Sequence, residues 1–96
     1  MRKANYLDLV ELNRRAGDAL AAISTFENLY GKSAVLGSIR AQMNFVFKET
    51  EEGRNPLESI NSSRSFTFGI LSSREFSSPD ELKLKAKLNR VAELLF

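Results

Sequence analysis

Leu9, Leu12, Ala16, Ala19, Leu20, Ile23, Phe26 and Tyr30 recur at three- and four-residue steps near the start of this chain. Such spacing stacks them on one face and predicts a long amphipathic helix from about Tyr6 to Tyr30. Glu11, Asn13, Arg14, Arg15 and Asp18 fall mainly on its remaining surface. A helix with one apolar face must bury that face, so the rest of the chain has to supply its partners. Gly17 lies inside the pattern although glycine costs about 1 kcal/mol of helix propensity, which points to a close approach by another helix. Gly31, directly after Tyr30, fits a left-handed C-terminal cap.

Ser33 can cap a second helix that runs to about Glu52, with Gly53 as its stop. Val35, Leu36, Ile39, Met43 and Val46 form its core stripe. Phe45 falls about 120° from that stripe at the helical period, so it must pack on a third element or meet a partner. The run Lys48-Glu49-Thr50-Glu51-Glu52 places acids at a helix C-terminus, where the macrodipole disfavours them. It reads either as a solvated helix end or as a contact surface. Asn55-Pro56-Leu57-Glu58 then starts a short helix to about Asn61, with a capping asparagine and proline in the first position.

The segment from Thr67 to Phe76 is locally ambiguous. Phe66, Phe68 and Ile70 alternate with Thr67 and Gly69, as in a strand. Read helically, Phe68, Leu71 and Glu75 share one side while Phe66 and Ile70 lie on another. No other segment offers a strand to pair with, and a lone strand leaves backbone groups unpaired. Helix is therefore expected. Ser78-Pro79-Asp80-Glu81 forms a capping box that opens a last helix. Leu84, Leu88, Val91 and Leu95 make its stripe, and Lys83, Lys87 and Arg90 run beside it. The expected fold is all-α: one domain over residues 1–96, a compact antiparallel bundle of four to five helices.

Composition narrows the chemistry. The 96 residues include neither cysteine nor histidine, which removes disulfides, thiol chemistry, nearly all zinc sites and the usual nucleophile–base triads. Carboxylate-only mechanisms stay open, but an enzyme is the less favoured class, and no cofactor or metal is expected. No apolar run approaches the ~20 residues of a membrane-spanning helix. The basic N-terminus is followed by Asp8, Glu11 and Asn13, which break the apolar core of a signal peptide, so the expected compartment is the cytoplasm. A net charge of +2 gives no general pull toward nucleic acid, and three basic residues beside a core seam more often cover apolar surface with their stems.

Two spaced motifs resemble a known family. On the second helix stand Gln42, Met43, Asn44, Phe45 and Val46: a glutamine, an apolar residue, any residue, an aromatic and an aliphatic. Downstream come Thr67-x-Gly69, and then Arg74, Glu75 and Phe76, followed by Pro79, Asp80, Glu81 and Leu82 at the start of the last helix. This order, over about residues 18 to 92, is similar to that of the small all-helical immunity proteins that neutralise NAD(P)+ glycohydrolase toxins of bacterial type VI secretion. The resemblance implies an antitoxin that binds a cognate toxin and occludes its active site in interbacterial competition. The partner implied is that toxin, with neither nucleic acid nor membrane, and the dinucleotide is bound by the toxin. Gln42, Phe45, Glu49, Arg74 and Glu75 are the candidate toxin-binding residues.

Each candidate also has a purely structural reading. Gln42 can be a partly buried amide bonded to a neighbouring helix. Phe45 can belong to the bundle core. Glu75 can pair with a basic neighbour at the surface. An alternative function is a helical adaptor or secretion chaperone that inhibits no enzyme.

Overall fold

Asp8 opens the first helix. It stands in an extended conformation, and its Oδ1 accepts the Glu11 N–H at 3.0 Å, so α1 (Leu9–Tyr30) begins one residue later. The apolar spacing alone suggested a start near Tyr6, but a capping side chain has to sit outside the helix it caps. The computed structural model describes residues 8–59 and 66–95. Tyr6 and Leu7 lie outside that range.

The α1 helix ends at Gly31, whose N–H bonds the Glu27 carbonyl at 2.8 Å. Its φ of 92° is positive as expected, but ψ of 174° is extended and not left-handed helical. The chain therefore leaves α1 in a straight step, and Ser33 starts α2 (Ala34–Glu51) by accepting the Leu36 N–H at 3.1 Å. Asn55 Oδ1 accepts the Leu57 N–H at 2.9 Å and sets α3 (Pro56–Ser59); the expected continuation to Asn61 lies outside the described residues. The ambiguous segment is helical, α4 (Phe68–Glu75), and Phe76 follows in an extended conformation. In front of α5 (Pro79–Leu95) the capping box is complete. Ser78 Oγ accepts the Glu81 N–H at 3.3 Å, and Glu81 Oε1 accepts the Ser77 and Ser78 N–H groups at 3.0 Å each. No strand occurs among the described residues.

Helix α1 packs along α2 on one side and α5 on the other, while α4 leans on both α5 and α2. Both long pairings are antiparallel. Asn13 near the start of α1 donates to the Phe47 carbonyl (3.0 Å) and Thr50 Oγ1 (3.1 Å) near the end of α2. Arg15 donates to the Arg90 carbonyl at 2.8 Å and to Glu93 at 3.2 Å, late in α5. At the other end, Glu27 pairs with Arg40, and Tyr30 donates to Asp80. The Cα radius of gyration is 13.0 Å, close to the ~12.5 Å expected of a packed chain this long.

The core joins Leu12, Ala16, Ala19 and Ile23 of α1 to Leu36, Ile39, Met43 and Val46 of α2 and to Leu84, Leu88, Val91 and Leu95 of α5. Phe68 and Phe76 close it from the α4 side, and Leu71 packs against it. Two alanines in the α1 seam let α2 and α5 come close. At Gly17 an added Cβ would stand 3.2 Å from Phe47 Cε1, the close approach its position implied. Tyr30 corrects the stripe: it is 60% exposed, because it lies beyond the last core layer. Buried Thr50 and Ser72 bond backbone carbonyls within their own helices, Val46 at 2.8 Å and Gly69 at 3.1 Å, so neither hydroxyl is stranded.

Two surface carboxylates tie this architecture to pH. Hydrogen bonds from Arg14 and then Arg15 hold Glu11 down to about 2. The Ser77 N–H, and then the Ser78 N–H, lower Glu81. A depressed carboxylate stabilises the fold above its unfolded pKa of ~4.3 and loses that contribution as pH falls through its folded value. Stability should therefore be level above about pH 5 and decline between about pH 4.5 and pH 2. Urea unfolding at stepped pH should show a shallower decline for Glu11→Gln. An unchanged slope in that variant would remove Glu11 from the account.

Candidate functional site

Ser38, Gln42, Phe45 and Glu49 lie on one face of α2, at steps of four, three and four. That face looks toward the start of α4. Gln42 Oε1 accepts the Thr67 and Phe68 N–H groups, both at 2.8 Å. Its Nε2 donates to Thr67 Oγ1 at 2.9 Å and to Ser38 Oγ at 3.4 Å. Thr67 is the N-cap of α4, yet its own side chain makes no capping bond. The first turn of a helix has backbone donors without intrahelical partners, and here a side chain from 25 residues upstream takes two of them. Of its two readings, Gln42 thus has the bonded neighbour of the structural one.

Phe45 also finds its third element. Its ring centroid lies 6.0 Å from that of Phe66, tilted by 51°, and Phe66 meets Phe68 edge-on, again at 6.0 Å. The three rings run from half-buried to fully buried and fasten α2 to the entry of α4. Glu49 is gripped by the Arg54 guanidinium, Nε at 3.0 Å and Nη2 at 2.9 Å, and its side chain is 13% exposed. The same arginine reaches Glu52 at 2.6 Å. The acidic end of α2 is therefore partly neutralised from the following turn, and Thr50 in its middle is buried.

Arg74 and Glu75 differ from these three. Both are exposed, and neither forms an ion pair among the described residues. Arg74 lies in line with Phe66 and Ile70 at four-residue steps, and with Gly69 and Ser73 they line one wall of a groove of about 470 Å³. Asn89 and Ala92 of α5 form the opposite wall. Ile70 is 58% exposed there. Glu75 sits next to Arg74 but off the groove, since one residue turns the helix by about 100°. The structure thus groups Gln42 and Phe45 at the foot of α4, Arg74 in the groove and Glu75 at its margin, with Glu49 further along α2.

Sequence reasoning left Ile70, Asn89 and Ala92 out of the site. Ile70 was legible in principle, because the helical reading already put it with Phe66 on the side away from Phe68. Asn89 and Ala92 carry no such signal; only the packing of α4 on α5 brings them in.

Gln42 is open to a direct test. Gln42→Leu removes an acceptor shared by two backbone donors and should cost about 1 kcal/mol, as other lost helix caps do. Gln42→Glu keeps an acceptor at the positive end of the helix and should stay near wild type. Urea unfolding measures both, and amide exchange should rise selectively in α4 for the leucine variant. Equal stability and exchange in the two variants would sink the capping role.

A braced helix that presents an exposed isoleucine, and an arginine with no ion pair among the described residues, beside an open groove has the features of a small protein-binding domain. The chain matches the Tsi6 family model over residues 11–96 and belongs to that family, whose members are immunity proteins of type VI secretion. Comparison with curated proteins and with solved structures gave no match. Among the described residues no helix is long and apolar enough to cross a membrane, and no cluster of acids is arranged to hold a metal ion.

Proposed function

We propose that this chain protects the cytoplasm of its own cell by binding a cognate toxin one-to-one and covering the toxin's active-site cleft. The toxin would be an NAD(P)+ glycohydrolase, with the dinucleotide excluded by the bound immunity protein. The contact surface would be the outer face of α4 and its groove against α5, with Arg74 and Glu75 as the charged contacts and Ile70 as an apolar anchor. Gln42 and Phe45 would hold that face at a fixed angle and reach the toxin at its edge, and Glu49 would extend the contact along α2.

The observation that carries this reading is the contrast between Arg74 and Glu75 on α4 and the acids that end α2. Glu49 and Glu52 are already paired within the chain, whereas Arg74 and Glu75 form no ion pair among the described residues, and Arg74 stands beside an exposed isoleucine. A desolvated charge at the centre of an interface contributes strongly to specificity. A stable complex needs about 1,200–2,000 Å² of total buried surface, more than α4 alone supplies, so flanking parts of α2 and α5 would join it.

Co-expression with a candidate cognate toxin tests the reading. Survival and cellular NAD(P)+ should be maintained with the immunity protein and lost without it. If the toxin alone kills while the dinucleotide stays level, and this chain restores survival, the toxin has another activity. Equal depletion with and without this chain would end the proposal.

A further inference from the structure

A second groove lies on the opposite flank of α5, away from α4. Helix α1 lines it with Thr25, Phe26 and Leu29, and α5 with Lys83, Leu84 and Lys87. It encloses about 260 Å³, and the bond from Tyr30 to Asp80 closes one end. Leu29 is 68% exposed on its rim. The lining runs from Ala22 to Leu29 on α1 and from Asp80 to Lys87 on α5, so the groove follows two antiparallel helices for about two turns, roughly 10 Å.

The charge around it is one-sided. Lys83 and Lys87 are exposed and form no ion pair among the described residues. Across from them, the exposed positions Ala21, Ser24, Thr25 and Asn28 carry no charge. The first half of the same helix holds Glu11, Arg14, Arg15 and Asp18 in ion pairs. A solvated helix face is normally charged, so the neutral half beside a lysine edge is the exception along α1.

We propose that this groove is a second docking surface, which receives the apolar face of an amphipathic helix from another protein, with carboxylates along one flank to meet Lys83 and Lys87. Helices laid in such grooves present apolar side chains at i, i+3, i+4 and i+7, and Ala22, Phe26, Leu29 and Leu84 supply the apolar surface for them here. Charge complementarity selects this occupant. A second copy related by a two-fold axis across the helices would bring lysine against lysine, which is disfavoured, and one along the helices would lay the lysines against the uncharged wall of α1, where they find no carboxylate. A lipid surface fits a protruding apolar patch better than a concave one, and the Asp80 carboxylate stands at the end of the groove. The inference is independent of the toxin contact at α4.

Fluorescence anisotropy of the full chain with two labelled helical peptides tests it. Both peptides carry leucine at i, i+3, i+4 and i+7; one has glutamates along a flank and the other lysines. The glutamate peptide should bind about tenfold or more tightly than its lysine counterpart, since two surface charge pairs are reversed. The double variant K83E/K87E should invert that preference, and Leu29→Asp should abolish binding of both, with circular dichroism confirming that each variant is folded. Arg74→Glu should change nothing here. Equal affinity for the two peptides, no binding of either, or indifference to K83E/K87E would overturn the proposal. So would phosphatidylglycerol vesicles that displace the peptide, or self-association that Leu29→Asp abolishes.

Discussion

Replacing Phe68 by alanine should lower the unfolding free energy by about 3–5 kcal/mol, the usual cost of emptying a fully buried aromatic site. Phe68 is completely buried, at the first position of α4, and its ring meets the half-buried Phe66 that in turn meets Phe45. An isolated helix of eight residues does not form in water, since helices shorter than ~12–15 residues are marginal there. The substitution therefore leaves a cavity and also takes away the anchor on which α4 depends. A domain of this kind has only about 5–15 kcal/mol in total, so the loss is a large share of the whole. Urea unfolding followed by circular dichroism measures it. A shift below about 1 kcal/mol would mean that the site relaxes to fill the space, and that α4 is held by something other than Phe68.

Exchanging the charges of Arg74 and Glu75, as Arg74→Glu with Glu75→Arg, should do the reverse: leave folding intact and remove protection. Both side chains are exposed and unpaired among the described residues, so stability should stay within about 0.5 kcal/mol. Net charge and composition are unchanged. If these groups are desolvated against the toxin, reversal costs at least about 2 kcal/mol, or roughly 30-fold in affinity. Titration calorimetry with the purified toxin domain, beside survival on co-expression, reads the effect. The single variants divide it, and because Arg74 lines the groove while Glu75 lies at its margin, Arg74→Glu should carry most of the loss. Affinity unchanged within about twofold, with protection intact, would remove the α4 face from the interface.

Much of the frame was legible in the sequence because helix starts are short-range chemistry. Ser33, Asn55 and the Ser78–Glu81 box each bond an N–H no more than four residues away, so residue types in order suffice to find them. The core stripes of α2 and α5 follow from period alone. The segment from Thr67 to Phe76 was decided by a global argument, since nothing else in the chain could pair with a strand. What stayed hidden depends on which helix lies against which. Tyr30 continues the α1 spacing, yet it falls past the end of the core, and its hydroxyl turns to Asp80, 50 residues away. Gln42 stood out as a residue type on α2, but its two backbone partners lie on a helix whose own cap is silent. The groove against α5 needed the packing itself.

The brace that Gln42 provides separates two kinds of selection on one small helix. The inward side of α4 answers to Phe68, Ser72 and the amide from α2, and changes there act on folding. The outward positions Ser73, Arg74 and Glu75 are exposed, where substitutions usually alter stability by less than about 0.5 kcal/mol. If the proposed contact lies here, a lineage facing an altered toxin can rewrite its outer residues without reopening the question of whether the protein folds. The specificity of such a domain is free to drift while its scaffold stands still.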